Sequence, residues 1–293
     1  MKNRLLIITL SALMSAPAIA EDIDRSLDAE ADGYVEIYNT AGNIEVIGWS
    51  KKSVAIKGTL GDDVEKLIFE RDDDEILIKV KVPRGYGRDI DADLVISVPQ
   101  NSSIEVSGVS ADIEVAGVLG EQSLQTVSGD VDTRGVVADL EAASVSGDVD
   151  VAGGGEDAET EAATVSGDVT LTGLAGSIEA ESVSGDVTVS GGSFDRAYLE
   201  SVNGDLSYLA VLRDGGRLGM ESINGAVEAE FSNEVSARFD IETFNGSIEN
   251  CFGPKPERTS RYSPGFELSF TVGDGDSRVE IETLNGSVRI CTK

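Results

Sequence analysis

The chain has 293 residues, 54 acidic against 23 basic side chains, a formal charge of −31 and no histidine. Such a surface repels nucleic acid and anionic lipid, and the missing imidazole rules out Ser-His and Cys-His nucleophiles and histidine metal sites. Aromatic residues make up 5%; acidity with few aromatics can mean disorder, but strong β-branched alternation argues against it.

In chain order, the first element is an export signal. Lys2 and Arg4 precede an apolar run at 5–13, and Ala18-Ile19-Ala20 places small residues at a cleavage site. This is a secretory signal peptide over 1–20, cut after Ala20; as an uncleaved anchor its apolar core would be short. The mature chain is expected to be soluble and periplasmic, or to reach the cell surface or medium, with no integral membrane span. It keeps 21 basic and 54 acidic residues, a charge near −33.

Residues 21–100 read as an irregular β region that caps a solenoid. Segments 34–38, 43–47, 53–57, 64–69, 75–82 and 92–98 alternate as strands, with turns at 61–63 and 71–74. Ala41-Gly42-Asn43-Ile44 resembles an early, diverged corner. A cap is needed because bare solenoid ends stack edge to edge.

From 101 to 293 a repeat takes over. Val-Ser-Gly-Asp-Val recurs at 127–131, 145–149, 165–169 and 183–187, then drifts through 202–206, 223–227 and 244–248 to Leu-Asn-Gly-Ser-Val at 284–288. Successive glycines are 18, 20, 18, 19, 21, 21 and 40 residues apart, and Val-Ser-Ala-Asp-Ile at 109–113 is a degenerate first copy. Ser or Thr stands three before each glycine, an aliphatic or Phe two before, and an aliphatic two after. Alternation of this kind marks strands with one buried face. Each copy is expected to be two short strands about a corner, both apolar residues pointing inward, with glycine chosen for its access to positive φ.

The predicted fold is an all-β, single-chain β-solenoid of roughly nine short coils, about 40–45 Å long at ~4.8 Å per coil. A meander of hairpins is the competing arrangement.

Asn43-Ile44-Glu45-Val46-Ile47-Gly48-Trp49, the Val98-Pro99 step, the Val-Ser-Gly-Asp and Asn-Gly copies and the long gap before Thr283-Leu284-Asn285-Gly286 carry a resemblance over most of the mature chain. It resembles the bacterial putative-adhesin domain family, exported β-solenoids of unknown function. That resemblance implies the fold; it supplies no active-site motif.

Cys251 and Cys291 each lie five residues after a corner glycine. In an oxidising compartment a disulfide is expected, and equal slots reach bonding distance only in neighbouring coils. The 40-residue gap would then hold one coil and an excursion over 252–265, within an inserted loop near 252–277. Phe266–Val272 would form a hairpin with the strand from Arg278. The bridge would close 39 interior residues and stabilise by about 3–4 kcal/mol. A full intermediate coil without a bridge is the alternative.

Four constellations remain. Asp130, Asp148, Asp168, Asp186 and Asp205 should form a vertical row that caps turn amides, splays into solvent or shares cations. Glu181, Glu200, Glu221, Glu242 and Glu282 form a second acidic row, and Asn203, Asn224, Asn245 and Asn285 an amide row. Lys255, Arg258, Arg261 and Tyr262 make one basic patch on the excursion. Phe194, Tyr198, Tyr208, Phe231, Phe239 and Phe244 look too scattered to form a sugar platform.

No phosphate loop, metal set or distinct carboxylate pair is present, so no cofactor or catalytic residue is assigned. The expected function is a non-catalytic binding, adhesion or envelope scaffold whose partner is a cell-envelope protein or glycan. The alternatives are a carbohydrate-active enzyme on a β-helix and a periplasmic accessory to envelope-stress signalling.

Overall fold

The computed structural model describes residues 21–85, 88–260 and 264–293; the expected leader, 1–20, lies outside them. The described residues contain no helix. They form one 23-stranded, mostly parallel sheet wound into a solenoid-like body. Each turn supplies a strand before the corner glycine and a strand after it. Leu140–Ser144 thus lies in register between Gln122–Gln125 and Asp157–Ser166, while Val149–Gly153 lies between Val131–Val136 and Val169–Thr172.

The interior is aliphatic. Val131, Val149, Val169, Val187, Leu206, Val227 and Val288, two after the glycines, are essentially inaccessible. On the preceding strand Leu124, Ala142, Ala162, Ala180, Leu199, Met220, Ile281 and Ile241 are buried likewise. Burying one large aliphatic side chain stabilises by about 1.5–3 kcal/mol, so this column dominates the fold.

The other apolar position corrects the sequence reading. Residues two before the glycine point outward: Val127, Val145, Val165, Val183, Ile223, Phe244 and Leu284 are 43–49% exposed. The Ser or Thr beside each takes the inward place, because strand side chains alternate. The buried hydroxyl then donates to the corner carbonyl of the neighbouring coil. Thr126 reaches Ala111 O at 3.0 Å, Ser144 reaches Gly129 O at 2.9 Å and Thr164 reaches Gly147 O at 2.9 Å. Ser182, Ser201 and Thr243 repeat the contact on Gly167, Gly185 and Gly286.

That carbonyl also explains the glycine. None of the eight corner glycines has positive φ, contrary to expectation. A Cβ at Gly147 would lie 2.0 Å from Gly129 O, and one at Gly185 would lie 1.9 Å from Gly167 O. Glycine is required by backbone approach, not by its torsion. A related corner stands at Gly42, where approach and torsion both call for glycine: φ is +103°, a Cβ would come 2.4 Å from Ala92 O, and Asn39, three residues before it, donates to that oxygen at 2.9 Å.

In-register stacking accordingly reaches into the segment without a visible repeat. Tyr34–Trp49 is one strand, and it pairs with Ser103–Ala116 through both arms, Gly42 opposite Ala111. On its other side it pairs with Glu75–Lys81 and Ala92–Pro99. Antiparallel strands follow at this end: Lys66–Asp72 on Glu75–Lys81, and Ser53–Leu60 then Glu21–Asp28 beyond Ala92–Pro99. Charged edge strands such as Glu21–Asp28 discourage pairing with another chain.

At the other end the coils depart from chain order. Ser277–Asn285 lies between the Leu206–Asn224 strand and Ala237–Asn245, pairing with both. The corner column therefore runs Gly225, Gly286, Gly246, with Gly286 over Gly225 O and Gly246 over Gly286 O. Phe266–Val272 pairs antiparallel with Ala237–Asn245, so the expected hairpin with the strand from Arg278 does not form. The inserted strand brings Ile248–Asn250 beside Val288–Thr292 and sets the Cα atoms of Cys251 and Cys291 4.9 Å apart, bonded through their sulfurs.

Three outcomes are expected in chemical denaturation. Gly185→Ala should destabilise by roughly 1–3 kcal/mol through overpacking, whereas Ser184→Ala, exposed next door, should stay within about 0.5 kcal/mol. Ser182→Ala should cost about 1–3 kcal/mol by orphaning a buried carbonyl, and Val183→Ser about 0.5 kcal/mol or less; the opposite ranking would contradict the assigned phase. Reductant, or Cys251→Ser with Cys291→Ser, should lower stability by about 3–4 kcal/mol, and an unchanged midpoint would remove the structural role of the pair.

Candidate functional site

The outer surface follows from the same register. Because one slot in successive coils stacks vertically, each outward position becomes a row. Two residues before the corner, Val109, Val127, Val145, Val165, Val183, Val202, Ile223, Leu284 and Phe244 make a continuous apolar ridge along the solenoid. Val202 is its one half-buried member.

The sequence-predicted rows are assembled, each in its own way. Among the five aspartates, each Oδ1 accepts the backbone N–H one coil further on: Asp148 N reaches Asp130 at 2.9 Å, Asp168 N reaches Asp148 at 2.8 Å, and Asp205 N reaches Asp186 at 2.7 Å. The last carboxylate, Asp205, takes Ala226 N at 2.7 Å. Carboxylates so engaged are charge-assisted caps that tie coil to coil. Among the described residues no group of three or more acidic or thiol side chains is arranged to hold a metal ion.

The asparagines form an amide ladder in spatial order. Asn224 donates to Asn203, Asn285 to Asn224 and Asn245 to Asn285, each at 2.9 Å. The glutamates stack as Glu181, Glu200, Glu221, Glu282, Glu242. Partial burial pushes the Glu282 carboxyl up, and the charges of Glu221, Glu242 and Glu280 add to that. Glu181 is raised for the same reasons, desolvation first and then Glu179 and Glu200. Between this acidic row and the ridge runs a shallow groove of about 410 Å³ lined by Glu200, Glu221, Glu282, Glu242, Ile223, Leu284 and Phe244.

Two features escaped sequence reasoning. One is the exposure of the ridge. The other is a row of arginines eight residues before the last four corners, Arg196, Arg217, Arg278 and Arg238, which pair in register across neighbouring coils. Arg278 meets Glu280 at 2.6 Å. The outer face of these coils is therefore striped: basic, mixed, acidic, apolar.

The remaining candidates separate. Phe194, Tyr208, Phe231 and Phe239 are not scattered; they form a chain of interior ring contacts 5.9–6.1 Å apart, and Phe239 stacks on Phe270 at 4.6 Å. They fill the core and offer no platform. Tyr198 lies outside, donating to Glu200 at 3.1 Å, and Phe244 belongs to the ridge. Of the basic patch, Lys255 and Arg258 are exposed, with Arg258 placed over the Phe266 ring at 5.1 Å; Arg261 and Tyr262 lie outside the described residues. Among the described residues no helix is long and apolar enough to cross a membrane.

The chain matches no curated protein. Among the solved structures to which it is similar at low identity are the following three. A putative adhesin from Parabacteroides distasonis is 10% identical over 92% of this chain and 97% of that one, with a TM-score of 0.47. A putative adhesin from Bacteroides fragilis is 13% identical over 92% and 97%, TM-score 0.41. A putative lipid binding protein from Parabacteroides distasonis is 12% identical over 92% and 96%, TM-score 0.37. Residues 33–291 match the Toastrack DUF4097 family, and the chain belongs to it.

Proposed function

We propose that this protein is an exported, non-catalytic scaffold that binds a cell-envelope protein or glycan through the rows on its outer face. In this reading 1–20 is removed on export, 21–100 closes the N-terminal end of the solenoid, and about nine coils over 101–293 carry the binding surface. The Cys251–Cys291 pair holds the C-terminal end together in an oxidising compartment.

One observation carries the proposal: the exposed apolar ridge. Eight of its nine side chains are 43–50% exposed, and the half-buried Val202 is the one interruption in the run. Apolar residues scattered singly over a surface are ordinary, whereas a contiguous patch rimmed by polar groups marks an interaction site. The fold does not need these side chains for its interior, which is filled by the rows on either side of the corner. Their hydrophobicity is thus available for a partner.

The test uses the exported chain against whole cells and a glycan array. The native protein should bind at least one, and a ridge variant combining Val145→Ser, Val165→Ser, Val183→Ser and Leu284→Ser should lose that binding while keeping its fold. Binding to neither, or full binding by the variant, contradicts the proposal. Release of sugar from a polysaccharide panel would overturn its non-catalytic character.

A further inference from the structure

The ridge does not have the same neighbours along its length. Four residues before the corner, the N-terminal copies carry Gln125, Ala143 and Ala163, and the later ones carry glutamates. Only over the last coils does the ridge border carboxylates, and there the two walls enclose the groove between Glu221 and Glu282 on one side and Ile223, Leu284 and Phe244 on the other.

We propose that this groove is the docking site for a basic amphipathic helix of a partner polypeptide. The proposal rests on the binding-scaffold reading above and names the chemistry of its partner. Glutamates stacked one coil apart repel one another, and Glu282 is flanked on both sides by like charge. A ligand that supplies cations along the row relieves that repulsion, and one that also supplies an apolar face covers Ile223 and Leu284. Four coils span roughly 14 Å at ~4.8 Å spacing, about the length of three helical turns at 5.4 Å each. A helix with apolar residues at i, i+3, i+4 and i+7 and Lys or Arg on the adjoining flank meets both walls at once.

Two other occupants fit less well. An anionic membrane is repelled by the glutamates. A second copy packed ridge on ridge would bring up the asparagine ladder, Asn224 and Asn285, from the far flank, leaving the acidic row without a cation.

The experiment titrates the full exported chain with a synthetic 14-residue Leu/Lys amphipathic helix, read by fluorescence anisotropy. Its scrambled isomer, of equal charge, controls for non-specific attraction. Glu221→Gln with Glu282→Gln, and separately Ile223→Ser with Leu284→Ser, should each weaken binding at least ten-fold. Glu141→Gln with Glu161→Gln, which removes the same charge from exposed sites off the ridge and the groove, should leave it within two-fold, and the scrambled peptide should bind at least ten-fold more weakly. Equal binding of both peptides, or no loss in the groove variants, overturns the proposal. So does a dimer in sedimentation that Leu284→Ser dissociates, which would give the ridge to a second copy. If the peptide fails while cell or glycan binding persists and depends on the ridge, only the helix assignment falls. Loss of the ridge dependence itself removes the broader reading.

Discussion

The architecture depends on one contact: the bare Cα of a corner glycine lying against the carbonyl of the corner in the neighbouring coil. At 1.8–2.2 Å from where a Cβ would stand, this approach admits no other residue at Gly129 through Gly286 without a shift of backbone. It also buries the carbonyl, which must then be satisfied. The Ser or Thr three residues earlier does so, and the aspartate one residue later ties the next coil's amide into the same corner. The Ser/Thr-x-x-Gly-Asp phrase is therefore a single physical unit, in which close approach, hydroxyl donor and carboxylate acceptor imply one another.

From that unit the remaining order emerges. Once corners stack, every other slot stacks as well, so the core becomes an aliphatic column and the surface a set of rows. The ends require a different solution, since a solenoid that simply stopped would leave an open edge. Here Tyr34–Trp49 is sandwiched between a later coil on one side and the repeat on the other. Ser277–Asn285 is likewise slotted between two earlier strands, with antiparallel strands beyond. A terminal strand held on both sides cannot fray without breaking two ladders of hydrogen bonds, and the cysteine pair joins the inserted strand's coil to its outer neighbour.

Much of this was legible in the sequence, and the failures have identifiable causes. The period, the corner and the cysteine adjacency follow from the repeated phrase. The phase was misread at one position: apolar residues recur both five and two before each glycine, three apart, and a period of two cannot bury both. Ser or Thr is the polar residue between them, and it takes the inward place because the buried carbonyl supplies its partner. The order of the last coils could not be read, because Gly225, Gly246 and Gly286 head equivalent phrases and either succession satisfies the cysteines. At Gly42, legible in the sequence as a diverged corner, the unit survives with Asn39 in place of the hydroxyl and Ala92 beneath. The arginine row was visible at a constant offset from four corners and was missed because each arginine, taken singly, is an ordinary surface residue.

What the chain can do is written on its outer face, where a fold satisfied from within leaves an apolar ridge beside an acidic row. At its C-terminal end the order of side chains along that face follows the spatial order of the corners, 225, 286, 246. Spin-label distances test this most directly, pairing a label at Val165 with one at Leu284 and, in a second sample, with one at Phe244. The spatial order predicts Leu284 nearer to Val165 than Phe244 by about one coil, roughly 5 Å; stacking in chain order would reverse the two distances, and scattered hairpins would show no such step.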